Sequence, residues 1–208
     1  MKTNNYAVNY GFTKETFPLG THMCHIYNND TERKMVVKAF VESGLSSNEK
    51  VVQLADVANE GDLDNYLKDL GINADKERKT GQLVVKPAMK GYCPDGCFKA
   101  ENMLDTWRRF YRMGQDEGYA SVRGTGEPLW TQRNVPGSEH WVEYEAMLNE
   151  LVLDYPFSGI LCQYDARFYD GTTIFDVLSI HPLMVIQGQI VRNPYYIQPD
   201  KFLAGRSI

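Results

Sequence analysis

The stretch GTHMCHIYNNDTER, residues 20–33, joins a short apolar run to the beginning of a helix. A strand-to-helix junction of this kind carries a glycine-rich phosphate loop in many α/β proteins. Here no lysine follows until Lys34, and the chain contains no G-x4-G-K-[ST] motif. The sequence therefore predicts an α/β chain that cannot cradle a triphosphate in the usual way. In place of the loop stand four soft or aromatic side chains: His22, Cys24, His25 and Tyr27.

Length and composition restrict the class of protein. The chain has 208 residues, of which 43% are hydrophobic and 24% charged, as is ordinary for a globular domain. Its net charge of -5 and its pI near 5.4 argue against direct binding of nucleic acid and against docking on an anionic membrane. Four cysteines are too few for a disulfide framework, so we expect thiols, metal ligands or redox sensors.

The sequence shows no targeting signal. No apolar run approaches the roughly 20 residues that cross a bilayer. Residues 1–17 lack the apolar core of a signal peptide, so we expect a cytoplasmic location and no membrane partner. The charged run 76–79 is polar throughout and predicts a solvated loop.

Strand and helix patterns alternate along the chain. Short apolar runs predict strands, and apolar residues at helical spacing predict helices. We expect Asp30 or Thr31 to cap the first helix, Gly44 to end it, and Asp62 to cap the second. The predicted strands are 51–55, 82–86, 119–124 and 157–164, the predicted helices are 31–43, 63–70, 99–117, 139–154 and 168–179, and a last strand pair turns at Gln187-Gly188.

This alternation predicts a three-layer α/β sandwich. Its sheet should be mostly parallel, with helices on both faces and an antiparallel strand pair at the C-terminal end. No linker or repeat interrupts the pattern, so we expect one domain. Ligands of such sheets bind beyond the carboxyl ends of the strands. The residues expected there are 27–30, Asp56, 123–126 and 164–167.

The first strand carries the densest chemistry. Because alternate strand residues share a face, His22 and Cys24 point one way and His25 and Tyr27 the other. A His-x-Cys pair can give two ligands to a soft metal, and His181 or Cys162 would have to complete the site. Three readings stay open at this point: buried core residues, a pocket for a ligand other than a metal, and a metal site.

Two further segments, residues 91–97 and 161–165, carry cysteine or acidic side chains. Cys93 and Cys97 are spaced C-x3-C in the turn-like GYCPDGC, which leaves a plain turn, a reversible disulfide and half of a metal site as alternatives. Asp165 follows an apolar strand that also holds Cys162 and Tyr164. It occupies the place of the magnesium-binding carboxylate of a P-loop ATPase, or it caps the next helix.

Arg123 and Trp130 flank a glycine-containing loop, VRGTGEPLW. Arg123 is suited to hold an anion, or to pair with Glu127 or Glu145. His181 precedes a proline and a strand, where it is either a ligand or a histidine that complements the end of a helix. Hydrolase chemistry has no support because no G-x-S-x-G elbow is present.

The ordered set of these segments resembles the methanogen/methylotroph DcmR sensory domain, the MEDS family. The similarity extends over about residues 18–203. No single segment is specific, but their order is. The segments that carry it are H-x-C-x-x-Y (22–27), SGL (43–45), KVVQLAD (50–56), GQLVV (81–85), GY.SVRGTGEPLW (118–130), YE..LNEL (144–151), LCQYDARF (161–168), HP.....G (181–188) and NPYY..P..FL (193–203).

The resemblance implies a fold and a function. It implies a RecA/KaiC-like fold without the phosphate loop, and a non-catalytic sensory domain at residues 18–208 after an N-terminal extension, 1–17. It further implies a small-molecule ligand, such as a one-carbon or hydrocarbon derivative, and a signalling partner such as a histidine kinase or another prokaryotic regulator of transcription. No cofactor or metal is assigned. The implied ligand-binding residues are His22, Cys24, Tyr27, Arg123, Trp130, Cys162, Tyr164, Asp165 and His181.

Two alternatives to the sensory reading remain. One is a KaiC-like protein that binds a nucleotide through the helix N-terminus near residues 28–31 without hydrolysing it. The other is a partner-binding module whose cleft is filled by its own aromatic side chains. The aromatic segment RNPYYIQPDKFL, residues 192–203, is expected to support a homo-oligomer.

Overall fold

The computed structural model describes residues 7–206. The strands are β1 (Val8–Asn9), β2 (Thr16–Phe17), β3 (His22–Tyr27), β4 (Lys50–Ala55), β5 (Leu83–Pro87), β6 (Val122–Gly126), β7 (Gly159–Asp165), β8 (Leu183–Ile186) and β9 (Gln189–Arg192). The α-helices are α1 (Asp30–Ser46), α2 (Leu63–Asp69), α3 (Asp75–Thr80), α4 (Ala88–Tyr92), α5 (Ala100–Asp116), α6 (Trp141–Asp154), α7 (Gly171–Ile180) and α8 (Pro199–Arg206). Three-residue or longer 3-10 turns lie at Glu60–Asp62, Pro128–Arg133 and Ser138–His140.

Over these residues the larger sheet has seven strands in the order β5-β4-β6-β7-β3-β8-β9. Neighbouring strands are parallel except β8 and β9, which form a hairpin. Gln187 and Gly188 turn that hairpin with φ of 49° and 72°, the left-handed pair that a tight two-residue turn requires. The predicted fold class is confirmed, including the antiparallel pair at the C-terminal end.

Helices cover both faces of the sheet. Alternate strand residues pack against α1 on one face, where Met23 and Leu161 meet Phe40. On the other face an aromatic core joins α5 and α6 to the sheet and includes Trp107 and Tyr144. The sheet is therefore the middle of three layers, as the alternation of strands and helices predicted.

β3 and β7 mark the switch point of the sheet. These strands are neighbours, but α1 follows β3 over one face, whereas α7 follows β7 over the opposite face, where Val177 joins the aromatic core. The chain therefore leaves the two strands in opposite directions and opens a crevice at their carboxyl ends, where Tyr27 pairs with Asp165. Crevices of this kind are where open α/β sheets bind their ligands.

Several predicted helix ends differ from the structure. Asn29 caps α1 by accepting a hydrogen bond from the amide of Glu32, so neither Asp30 nor Thr31 is the cap. Gly44 does not end α1 but lies inside it. A Cβ atom at this position would come within 3.0 Å of Val51 Cγ2 and Arg123 Nε. This glycine is needed for close packing rather than for ending the helix. Residue Asp62 stands at the cap of α2, but its side chain makes no capping bond.

Other differences concern short elements. The charged run 76–79 lies on α3, a largely exposed helix rather than a loop. β6 begins at Val122, three residues later than predicted, because residues 118–121 form a connection. The elements α4, α8, β1 and β2 have too few residues to show a periodic pattern, and the sequence did not predict them.

Both ends of the described chain pack on the sheet and its helices. Tyr10 is buried and donates a hydrogen bond to the carbonyl of Ser158 at 2.8 Å. Phe202 on α8 is buried against Ala146 and Ile180, whereas Tyr195 remains exposed. The division into an extension and a domain, and the homo-oligomer, stay predictions. Across residues 7–206, no helix combines the length and the apolarity needed to span a membrane.

Candidate functional site

Four polar side chains meet beneath α6, on the aromatic face of the sheet. We call His22, Glu145, Cys162 and His181 the buried quartet; their ligand atoms all lie within 4.8 Å of one another. His22 begins β3, Cys162 lies in the middle of β7, and His181 directly follows α7. All four residues are at most 5% exposed. Two neighbouring strands, β3 and β7, one face of α6 and the end of α7 thus form one site in the interior.

Asn149 fixes the orientation of His22. The Asn149 amide nitrogen donates to backbone carbonyls, including that of Ile180 at 2.8 Å, which turns its Oδ1 toward the imidazole. His22 Nδ1 lies 3.1 Å from this oxygen and must donate to it, because a carbonyl oxygen only accepts. The lone pair of His22 is therefore on Nε2, which lies 3.4 Å from Cys162 Sγ and 3.7 Å from Glu145 Oε2.

A helix end fixes the orientation of His181. Its Nδ1 lies 2.8 Å from the carbonyl oxygen of Val177 and donates to it. One ring nitrogen of His181 therefore complements the end of α7, as the sequence predicted. The other nitrogen, Nε2, lies 2.8 Å from Glu145 Oε2. The His22 and His181 rings are 4.3 Å apart between centroids. Both Nε2 atoms thus face the same carboxylate.

Burial dominates the electrostatics of the quartet. It lowers the pKa of His22 to about 3 and raises the pKa of the Cys162 thiol well above its usual range. Burial also raises the pKa of Glu145, but the two neighbouring imidazoles outweigh it, so the net shift of that pKa is downward. At neutral pH the site therefore holds a neutral His22, a thiol and a carboxylate.

Glu145 and Asn149 were missed by sequence reasoning. The predicted helix 139–154 was assigned an apolar face that includes Trp141 and Leu148, and both polar residues lie within that same arc. Their positions four and eight residues after Trp141, which place all three on one face of the helix, are the signal that could have identified them. A polar pair on the buried face of a helix needs partners in the core.

The structure brings only some of the predicted site residues together. Cys24 lies on the strand next to Cys162 and on the same face, but its Sγ is 3.8 Å from the carbonyl of Leu183. Tyr164 is buried nearby and accepts a hydrogen bond from Trp141 Nε1 at 2.9 Å. These residues border the quartet. Contrary to the expectation for this fold, the quartet lies along the sheet rather than beyond the strand ends.

Arg123 belongs to a different part of the core. Because β6 begins late, Arg123 is its second residue and lies at the amino end of the strand, fully buried. Its Nε lies 2.6 Å from Glu49 Oε2, and a terminal nitrogen donates to the carbonyl of Phe40 at 2.9 Å. The predicted partners Glu127 and Glu145 were therefore wrong. Arg123 and Glu49 form a buried, structural ion pair at the amino end of the sheet.

Trp130 and the cysteine turn also lie away from the quartet. Trp130 is fully buried among aromatic rings, with Phe98 and Trp141 at centroid distances of 5.2 and 5.4 Å. Cys93 accepts a hydrogen bond on its carbonyl from the amide of Gly96 at 2.9 Å, which closes a turn.

A second group of polar side chains lies at the carboxyl half of the sheet, on the α1 face. We call it the crevice row: His25, Gln53, Thr125 and Gln163, one from each of four strands and each at most 2% exposed. Gln163 Nε2 donates to Thr125 Oγ1 at 2.8 Å. Within the described chain, both ring nitrogens of His25 and the side-chain oxygens of Gln53 and Gln163 have no hydrogen-bond partner, and Glu32 Oε1 lies 3.6 Å from His25 Nε2. The row therefore offers donors and acceptors to a small ligand.

Acidic side chains border the mouth of the crevice. Arg167 lies 2.6 Å from Asp165 and 2.7 Å from Asp30, joining the ends of β7 and α1. Asp165 therefore takes an ion pair rather than the helix cap, which Asp170 supplies. The connection between β3 and α1 is only residues 28–29, far shorter than a phosphate loop of about eight residues. With Asp30 and Glu32 in its first turn, α1 disfavours an anion at its N-terminus.

His25 should make the stability of the protein depend on pH. Burial lowers its pKa to about 4, although Glu32 opposes the shift. In the unfolded chain His25 binds a proton near pH 6.5, whereas in the folded chain it stays neutral until the pH approaches 4. The contribution of His25 to the free energy of unfolding is therefore complete above pH 6.5 and falls as the pH approaches 4. We expect His25→Gln to remove about 2 kcal/mol of the loss between pH 7 and pH 5. Urea unfolding at pH 7 and pH 5 measures this loss of stability, and His140→Gln, at an exposed histidine, is the control. Equal losses in the wild type, His25→Gln and His140→Gln would contradict the prediction.

The comparisons with known proteins agree with this architecture. The family model described as "MEthanogen/methylotroph, DcmR Sensory domain" matches residues 21–182. The chain belongs to the MEDS family. It is 30% identical over 162 residues to the transcriptional repressor DcmR of Methylorubrum extorquens (strain DSM 6343 / CIP 106787 / DM4). The match covers 77% of this chain and 57% of the length of that repressor.

Solved structures place the MEDS domain in the RecA/KaiC group of folds. The KaiC-like protein PH0186 of Pyrococcus horikoshii OT3 superimposes with a TM-score of 0.60 and 16% identity over 86% of this chain and 78% of its own. The flagellar accessory protein FlaH of Methanocaldococcus jannaschii gives a TM-score of 0.60 and 11% identity over 91% and 84% of the two chains. The family and the repressor relative together indicate a sensory or regulatory role.

Proposed function

We propose that this MEDS domain is a non-catalytic sensor that takes a small, uncharged or weakly polar ligand in the crevice between β3 and β7. The observation that carries the proposal is the crevice row, in which four buried atoms, both ring nitrogens of His25 and the side-chain oxygens of Gln53 and Gln163, have no hydrogen-bond partner within residues 7–206. Such atoms cost about 1–3 kcal/mol each when left unpaired. A ligand that pairs with them recovers that energy and so favours the bound state.

The charges around the crevice support a ligand that is not a nucleotide. Asp30, Glu32 and Asp165 place carboxylates where a triphosphate would have to lie. His25 is neutral at pH 7 because burial lowers its pKa to about 4, so it offers one donor and one acceptor. A one-carbon compound with a hydroxyl group, such as methanol, fits this chemistry because it can both donate and accept. Its binding would be passed to transcription through a DNA-binding or kinase partner.

The size of such a ligand limits its affinity. At about 1.5 kcal/mol per heavy atom, a three-atom compound gains at most about 4.5 kcal/mol, which corresponds to a Kd near 1 mM. A fit this weak cannot drive a large conformational switch alone. The experiment must therefore use tens of millimolar ligand and a readout that reports on individual residues.

The test is an NMR titration of the ¹⁵N-labelled chain with methanol, with dichloromethane and, separately, with Mg²⁺-ATP. We expect one probe to shift the signals of the crevice row in the wild type, and His25→Leu to reduce those shifts at least tenfold. Met23→Leu is the matched control because Met23 is a buried neighbour on the same strand and face. Shifts confined to Mg²⁺-ATP, or no response to any one-carbon probe, would overturn the proposal.

A further inference from the structure

The buried quartet has more acceptors than donors. Both Nδ1 atoms are committed to carbonyl oxygens, so His22 and His181 turn their Nε2 atoms toward the carboxylate of Glu145. Among the described residues, His181 Nε2 and both Glu145 oxygens have no hydrogen bond of normal geometry, although His181 Nε2 lies only 2.8 Å from Glu145 Oε2. A nitrogen and a carboxylate oxygen this close need a positive charge between them, either a proton on His181 Nε2 or a metal ion that both atoms bind.

We propose that the buried quartet binds one Zn²⁺ ion through His22 Nε2, His181 Nε2, a carboxylate oxygen of Glu145 and the thiolate of Cys162. Two imidazoles, a carboxylate and a thiolate form a ligand set of the kind that Zn²⁺ takes in proteins. All four positions are filled by side chains, which makes it a closed site. The inference goes beyond the proposed function, because the crevice row lies on the other face of the sheet.

The spacing of the ligand atoms suits tetrahedral coordination. Zinc bonds of about 2.0–2.3 Å place tetrahedral ligand atoms about 3.3–3.8 Å apart. His22 Nε2 lies 3.4 Å from Cys162 Sγ and 3.7 Å from Glu145 Oε2, within that range. Of these three separations, the 2.8 Å between His181 Nε2 and Glu145 Oε2 is shorter, so an ion would move these two atoms apart by about half an ångström.

The surroundings of the quartet match the needs of a metal ligand. Asn149 Oδ1 and the carbonyl of Val177 accept from the Nδ1 atoms, which is the outer contact that orients metal-binding histidines. The charges also balance, since one carboxylate and one thiolate neutralise the two positive charges of Zn²⁺ in a site that water does not reach. Binding transfers the thiol proton of Cys162 to solvent and forms the Zn–S bond in its place.

Cobalt substitution tests the inference on the full chain. After treatment with a chelator, the protein is titrated with Co²⁺, whose tetrahedral thiolate complexes absorb strongly in the visible and near-ultraviolet range. We expect one Co²⁺ per chain, a thiolate-to-cobalt band, and displacement by one equivalent of Zn²⁺. Cys162→Ser should lose the thiolate band, whereas Cys24→Ser, on the adjacent strand and equally buried, should keep it.

The opposing outcome is equally specific. If the wild type retains no Zn²⁺ in elemental analysis and gives no cobalt band, the inference fails. Imidazole ¹⁵N NMR should then show a proton on His181 Nε2, an ion pair with Glu145 in place of a metal. A thiolate band that persists in Cys162→Ser also overturns the assignment. The wild-type band needs no variant to fold, and neither result depends on the crevice titration, so the two proposals fail separately.

Discussion

Arg123→Ala is expected to lower the free energy of unfolding by about 3–5 kcal/mol. The guanidinium is fully buried, its Nε lies 2.6 Å from Glu49 Oε2, and it donates to the carbonyls of Phe40 and Asn9. It also lies over the rings of Tyr10 and Phe40. Removing it leaves a carboxylate and two carbonyls in the core without their cation, and equilibrium urea unfolding at pH 7 measures the loss.

Two comparisons separate this effect from a general loss of charge. Lys34→Ala breaks an ion pair of the same 2.6 Å length with Asp69, but both partners are exposed, so we expect a loss below about 1 kcal/mol. The double variant Arg123→Met/Glu49→Leu removes both charges and should recover much of the stability lost in Arg123→Ala. A loss in Arg123→Ala as small as that in Lys34→Ala would show that the buried pair does not stabilise the fold.

Trp130→Ala is expected to cost about 3–5 kcal/mol for a different reason. The indole is completely buried and contacts Tyr92, Phe98 and Trp141 at centroid distances of 5.2 to 5.5 Å. Truncation leaves a cavity that three rigid rings cannot collapse to fill. Thermal and urea unfolding of the variant give the loss directly.

Trp130→Phe is the matched variant. Within the described residues Trp130 Nε1 has no hydrogen-bond partner, so the substitution removes an unpaired donor and we expect a cost of only about 1 kcal/mol. The crevice titration should be unchanged, because Trp130 belongs to the aromatic core on the opposite face from α1. Loss of the one-carbon response in Trp130→Phe would restore Trp130 to the ligand site, where the sequence had predicted it.

The sequence was sufficient for the fold class because periodicity is a local property. The apolar runs 51–55 and 157–164 and the helical spacing around Phe40 and Trp107 each depend on a few neighbouring residues, and the structure has strands and helices there. Helix ends were less accurate. Gly44 matched the usual stop signal, but its real constraint is the approach of Arg123, which lies far away in sequence.

The site was only half predictable. His22, Cys162 and His181 were identified as possible partners because their residue types are metal ligands. Glu145 was not, since a single glutamate in a helix is usually exposed and only its position on the apolar arc marks it as buried. In the crevice row, His25 and Thr125, the latter within 123–126, were among the expected positions, but Gln53 and Gln163 were missed because they share no motif and are joined only by strand register.

The strand order has a consequence for the making of the chain. β3 is synthesised early, yet its two neighbours in the sheet are β7 and β8, and His22 and Cys162 are 140 positions apart. Until the ribosome has released those late strands, both hydrogen-bonding edges of β3 are without their native partners. Pairings of such long range fold slowly, and unpaired edges invite association between nascent chains. The centre of the sheet, which holds both candidate sites, can therefore close only after β8 has been made.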